Sequence, residues 1–289
     1  MRRLIRRILE KFRPPGRQPY RKIIMTTTNI NYPQVVPRAE WLKARLDLLE
    51  REKELTRTRD QINQVRRELP MFRVEERYIF DSPDGPKSLL DLFAGRMQLM
   101  VYHFMWHWEK GQPLDNPCPG CSGWADQIGR GIFHTLNSRN TTLALVSRAP
   151  LGKILPFKKR MGWTIPWYSS FGNSFNYDYH VSLDASVAPL FYNYRTPEEH
   201  ERAGSSYYLQ GEQPFDLPGI SCFLRRGDEV YHTYSMYGRG GETIGGGYYF
   251  LDLTAMGRQE DWELPKGRSA GEALPPRPDL APYPDEYAS

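Results

Sequence analysis

Between residues 39 and 69 an apolar residue recurs at every seventh position: Trp41, Leu48, Leu55, Ile62 and Leu69. Charged side chains fill most of the intervening positions, so the segment predicts one long helix with a narrow apolar edge, stopped by Pro70. A two-stranded coil needs a second apolar position per heptad, and Leu42, Leu49 and Val65 fill it only in part. Two readings follow. Helix 38–70 packs by that edge on the domain behind it, or helix 39–69 pairs with a second copy of the chain as a homodimer.

From residue 72 the period shortens to two. FRVEERYIF reads as a strand, SPDGPK as a turn, and SLLDLFAGR as a short helix closed by Gly95. MQLMVYHFMW is a continuous apolar run of strand length, which suits a central strand buried on both faces. A loop, WEKGQPLDNP, leads to CPGCSGWADQIGRGIFHTL, whose later residues read as helix; TTLALVSRAP is the next strand and LGKILPFKKRMGW the next helix. This β-α-β-α order predicts an α/β fold with parallel strands joined by helices. Residues 166–216 are aromatic and polar without a clean period and read as an insertion or long cover. PGISCFLRRGDEVYHTYSMYG then reads as a hairpin turning at Arg226-Gly227-Asp228. The organisation is therefore an arm and linker at 1–37, the helix at 38–70, the α/β domain at 71–264 and a tail at 265–289 that holds six prolines.

Charge changes the picture only at one end. The net +5 divides into +8 within residues 1–24 and −3 over the rest, where 30 bases meet 33 acids. The folded body carries no basic excess of the kind that nucleic acid requires, so no nucleic-acid partner is expected. The arm MRRLIRRILEKF sets Leu4, Ile8 and Phe12 on one helical face against arginines. One reading makes residues 1–24 a mitochondrial targeting segment in a eukaryotic host, and another places the translation start at Met25. No run approaches the roughly 18 apolar residues of a membrane span. Three cysteines in 289 residues do not make a disulfide-stapled secreted domain, and a reducing cytoplasm is the expected setting.

The chemistry concentrates at Cys118-Pro119-Gly120-Cys121. A cysteine opening a helix meets unpaired backbone N–H groups and the positive end of the helix dipole, both of which stabilise a thiolate. Lowering the pKa makes Cys118 a nucleophile, and two intervening residues let Cys121 reach back to resolve a mixed disulfide. Cys118 is expected to be the more exposed thiol. His103, Trp108, Ser122 and Trp124 are expected to line the site. The same cysteines with His103 and His107 form an alternative ligand set for zinc or copper, with His103 the better placed imidazole. GRGGETIGGG at 238–247 lacks the P-loop pattern and reads as a mobile turn, and no Gly-x-Ser-x-Gly element supports a hydrolase.

Residues 72–121, with RVEERYIFDSPDGPKSLLDLFAGRMQLMVYHF and then CPGC, resemble the entry to a peroxiredoxin-related, thioredoxin-like domain. Over residues 38–262 the segments REKELTRTRDQI, CPGCSGWAD, LVSRAPLGKI, KKRMGW, SSFGNSFNYD, DEVYHTYSMYGRG and LDLTAMGRQED resemble the family catalogued as domain of unknown function 899. The resemblance implies a thioredoxin-like central sheet flanked by helices, to which the pattern of the chain adds the long N-terminal helix and the aromatic-rich insertion. Against that family background the facing strand reads Leu217-Pro218-Gly219-Ile220-Ser221-Cys222. Pro218 stands earlier than the usual cis-proline position, a departure from ordinary thioredoxins, and Cys222 lies where a third sulfur approaches the pair. Asp115 stands where peroxidatic relatives carry Thr or Ser. The expected activity is thiol–disulfide exchange on an unknown thiol or disulfide substrate, with no cofactor required; copper or zinc belongs to the alternative reading.

Overall fold

The computed structural model describes residues 30–244, 246–258, 263–267 and 283–286. The arm at 1–24 and the Met25 start lie outside them. Pro37 starts the long helix α1 (Arg38–Glu68), which carries Glu40 in its first turn and Arg66 and Arg67 in its last, the polarity its dipole favours. The expected packing of this helix on the domain is not found: no α1 side chain is buried, and Leu55 is 67% exposed. The apolar edge is one residue wide per heptad, too narrow to cover a sheet face. Near its end Arg66 lies over the Tyr234 ring at 4.8 Å.

The predicted strand at 72–80 is two short ones. β1 (Phe72–Arg73) joins the main sheet, and β2 (Ile79–Phe80) pairs with β3 (Lys87–Ser88) across the predicted turn. The predicted helix after β3 is a single 3₁₀ turn at Asp91–Phe93, ended by left-handed Ala94 and Gly95. β4 (Gln98–His103) is the buried central strand. The expected loop at 108–117 is instead a hairpin of β5 (Trp106–Glu109) and β6 (Gln112–Pro117). Its two-residue turn, Lys110-Gly111, has φ of 48° and 71°, the positive pair that matches strand twist.

The next predicted helix breaks at Gly129 into α2 (Pro119–Asp126) and α3 (Arg130–Asn137). β7 (Thr141–Ser147) and α4 (Leu151–Met161, closed by left-handed Gly162) fall where the pattern put them. The aromatic insertion is folded. It supplies β8 (Trp167–Ser169), α5 (Phe175–Asp178), β9 (Ser182–Leu183), α6 (Pro197–Arg202) and β10 (Phe215–Asp216). The predicted hairpin is β11 (Gly219–Arg226) and β12 (Glu229–Tyr237), turning at left-handed Gly227.

The six-stranded sheet runs β1-β12-β11-β4-β7-β8. β4, β7 and β8 are parallel, while β11 runs antiparallel to β4 on its other side and β12 antiparallel to β11. A parallel β-α-β pair next to an antiparallel hairpin, with a Cys-x-x-Cys helix following the central strand, is the thioredoxin-like arrangement. Alternation along β4 sends Leu99 and Val101 into one apolar cluster, under the turn at 91–93 and α5. Tyr102 belongs to the other cluster, with Cys118, Cys121, Leu145, Phe157 and Ile220.

Candidate functional site

Cys118 is the N-cap of α2, with an extended backbone (φ −66°, ψ 123°), and Pro119 takes the first helical position. There proline is favoured because that position's N–H would have no intrahelical partner. Cys118 Sγ accepts from the Cys121 backbone N–H at 3.5 Å, so the cap is made by the sulfur itself. Ser122 secures the turn, its N–H and Oγ both donating to the Cys118 carbonyl at 3.0 and 2.9 Å. The Cys118 N–H donates to Met105 O at 3.2 Å, which ties the turn to the start of the β5–β6 hairpin.

The two thiols differ electrostatically. The Cys121 thiol donates to the Cys118 sulfur and lowers its pKa; a hydrogen bond from His107 and the Cys121 backbone N–H act in the same sense, against burial. Burial pushes Cys121 well up, and the adjoining Cys118 sulfur adds to this. No disulfide joins the two cysteines. Cys118 is 1% exposed and Cys121 3%, so the expectation of an open Cys118 is corrected: both thiols belong to a packed apolar cluster. Negative charge is thus favoured on Cys118 over Cys121, and both sulfurs are closed off from solvent.

His103 is not in this site. Its imidazole lies on the opposite side of β4, with Nε2 bonded to Ser221 Oγ at 2.8 Å and its ring near Phe175 and Tyr179. Burial holds its pKa down at about 3. The imidazole that meets Cys118 is His107 on β5. The proposed ligand set is therefore split by the sheet, and no group of three or more His, Cys, Asp and Glu side chains suited to a metal occurs among the described residues.

Trp124 stacks flat on Tyr102, with centroids 3.9 Å apart at 10°. Trp108 packs against the cysteine cluster while its ring carries the Arg148 guanidinium at 3.6 Å and its N–H donates to Asp216 at 3.2 Å. The Pro218 carbonyl accepts from Tyr192 Oη at 2.9 Å, and the cis prolyl bonds among the described residues are at Pro214 and Pro265, not at Pro218. Cys222 faces the cysteine side but pairs with Met100, two residues along from the Ile220–Tyr102 pair. Burial raises its pKa to about 11. No bond joins it to the other two sulfurs.

A family profile described as "Bacterial protein of unknown function (DUF899)" matches residues 30–274. The chain belongs to that family. Solved structures similar to this DUF899 chain include peroxidoxin BcpB from Mycobacterium tuberculosis, at 12% identity and a TM-score of 0.38, over 58% of this chain and 85% of that one. Another is a cysteine-to-serine mutant of PrxQ from Xylella fastidiosa, at 13% identity and a TM-score of 0.30, over 58% and 84%. No curated protein matches.

Two residues of the DUF899 site escaped the sequence reading. The Tyr102 hydroxyl donates to the Cys121 sulfur, and burial raises the Tyr102 pKa far above its usual value. Tyr283, from the proline-rich tail, belongs to the cysteine cluster at 1% exposure. Strand alternation signals that Tyr102 and His103 must face opposite ways, but not which of them meets the cysteines. Nothing local signals Tyr283.

Proposed function

We propose that the chain is a thiol–disulfide oxidoreductase, with Cys118 as nucleophile and Cys121 as resolving thiol. The observation that carries this is the convergence of three donors on Cys118 Sγ: the Cys121 thiol, the Cys121 backbone N–H and His107. Each stabilises negative charge on one sulfur and leaves its neighbour protonated, the division of labour that exchange requires.

The Cys118 thiolate attacks one sulfur of a substrate disulfide, forming a mixed disulfide and expelling the other substrate sulfur as a thiolate. Cys121 then gives up its proton to that thiolate or to solvent. Its sulfur attacks Cys118 Sγ, releasing the second substrate thiolate and closing the 118–121 disulfide. The substrate gains two electrons and the chain loses two; a thiol reductant in excess, such as glutathione, returns the chain to its dithiol form.

The test is a titration in glutathione redox buffer read by intact mass and peptide mapping. Reversible loss of two hydrogens, mapped to a 118–121 bridge, is expected, and Cys121→Ser is expected to trap a mixed disulfide on Cys118. A pair that stays reduced in oxidised glutathione after mild loosening in urea would overturn the reading.

A further inference from the structure

Tyr283-Pro284-Asp285-Glu286 forms one compact turn, with the Glu286 N–H donating to Tyr283 O at 2.9 Å and the Tyr283 N–H to Glu286 Oε2 at 3.1 Å. The turn packs against α2. The Tyr283 hydroxyl donates to the carbonyl of Pro117, the residue before Cys118, at 2.8 Å. Its ring meets Phe157 edge-on at 5.4 Å, and the Arg160 guanidinium lies 5.0 Å from the ring centre. Arg160 also grips Asp285 with two bonds of 2.7 Å and Glu286 with one of 3.1 Å.

We propose that Pro117, Phe157 and Arg160 form a peptide-binding site, filled in this chain by its own Tyr283–Glu286, that receives an aromatic residue followed two and three positions later by acids on a partner protein. An aromatic socket with one carbonyl acceptor, next to a guanidinium fork matched to carboxylates, is a side-chain code that a segment folding into the same tight turn can satisfy. Among the described residues these contacts come from a four-residue turn, and its ionic arm is solvent-exposed on both sides, a weakly held class of contact. Because Tyr283 packs in the cluster that buries both sulfurs, an emptied socket opens the region beside Cys118 and a socket refilled by a partner segment closes it again. The inference rests on the dithiol reading for its use, although binding itself needs no redox turnover.

The probe is a fluorescein-labelled peptide of residues 281–289, used with full-length chains. Wild type, its site filled, is expected to bind the probe weakly. A chain carrying Tyr283→Ala, Asp285→Lys and Glu286→Lys is expected to bind it at least tenfold more tightly. Iodoacetamide should alkylate Cys118 in that chain about tenfold faster at constant pH, and saturating probe should restore protection. Because Tyr283→Ala removes a packed ring, Asp285→Lys with Glu286→Lys alone, at the exposed arm, provides a second variant, expected to alkylate roughly threefold faster. Arg160→Glu should match it, and Arg160→Glu with Asp285→Arg should recover protection. Unchanged alkylation in the charge-reversed chain, together with no gain in probe affinity in the triple variant, would overturn the site. A chain that binds the probe but never forms the 118–121 bridge would overturn only the redox reading.

Discussion

Tyr102 and His103 are consecutive on β4 and serve opposite faces of the sheet: the Tyr102 hydroxyl donates to the Cys121 sulfur, while His103 bonds to Ser221 at 2.8 Å. From Ser221 the chain of hydrogen bonds continues to Ser235 at 2.7 Å and on to His232 at 2.7 Å, crossing β11 and β12. One face thus holds the two cysteine sulfurs and the other a polar network that pins three strands together.

This division separates the two histidines by experiment. His107→Ala removes a hydrogen bond from the Cys118 sulfur, so its thiolate fraction should fall and its alkylation near pH 6 should slow by roughly threefold to tenfold. His103→Asn should leave the pH profile of alkylation unchanged. A shifted profile in the His103 variant alone would reverse the assignment.

The polar network predicts acid sensitivity. Burial depresses the pKa of His103 to about 3 and of His232 to about 4, so the folded chain binds fewer protons than the unfolded one at any pH between these values and the ordinary 6.5. Stability is therefore present above pH 6.5 and is lost as pH falls below it. His103 alone accounts for a loss on the order of 2 kcal/mol by pH 5. Urea unfolding at pH 7 and pH 5 measures this, and His103→Asn should remove that share of the slope.

Arg148, directly after β7, is buried against the insertion, its Nη2 2.8 Å from Asp216 Oδ1 and its Nε 2.8 Å from Ser182 Oγ. Asp216→Ala leaves a guanidinium without its counter-charge and should cost about 3–5 kcal/mol, read as a lowered urea midpoint. Replacing the pair together, Arg148→Met with Asp216→Leu, should recover much of that loss.

The exposed stripe of α1 makes a fourth prediction. Since no α1 side chain is buried, Leu55→Asp with Ile62→Asp should change the stability of the isolated chain by no more than about 0.5 kcal/mol. Light scattering of the same variant tests the homodimer reading: a mass that halves while the melting point of the monomer holds would place a second copy on this stripe.

Much of the architecture was legible in local pattern. β4, β7, α4 and the β11–β12 hairpin follow from continuous apolar runs, helical spacing and a Gly227 turn, all signals carried within a dozen residues. The β5–β6 hairpin was missed because its two-residue turn rests on Lys110 accepting a positive φ, for which lysine has no marked preference. The insertion was missed because its order comes from contacts far apart in the chain, such as Arg148 with Asp216.

For the site, the sequence by itself determined the cysteine pair and its place at a helix N-terminus, because capping is local: Cys118, Pro119 and Cys121 lie within one turn. Only the tertiary structure decided what surrounds the pair. A period of two tells that Tyr102 and His103 diverge, but the face each one takes depends on which side α2 packs. The hairpin bends His107 back to Cys118, and the tail returns Tyr283 to Pro117 across 166 residues of chain. Such closures are set by packing and loop geometry between distant segments, and these leave no mark on either segment read alone.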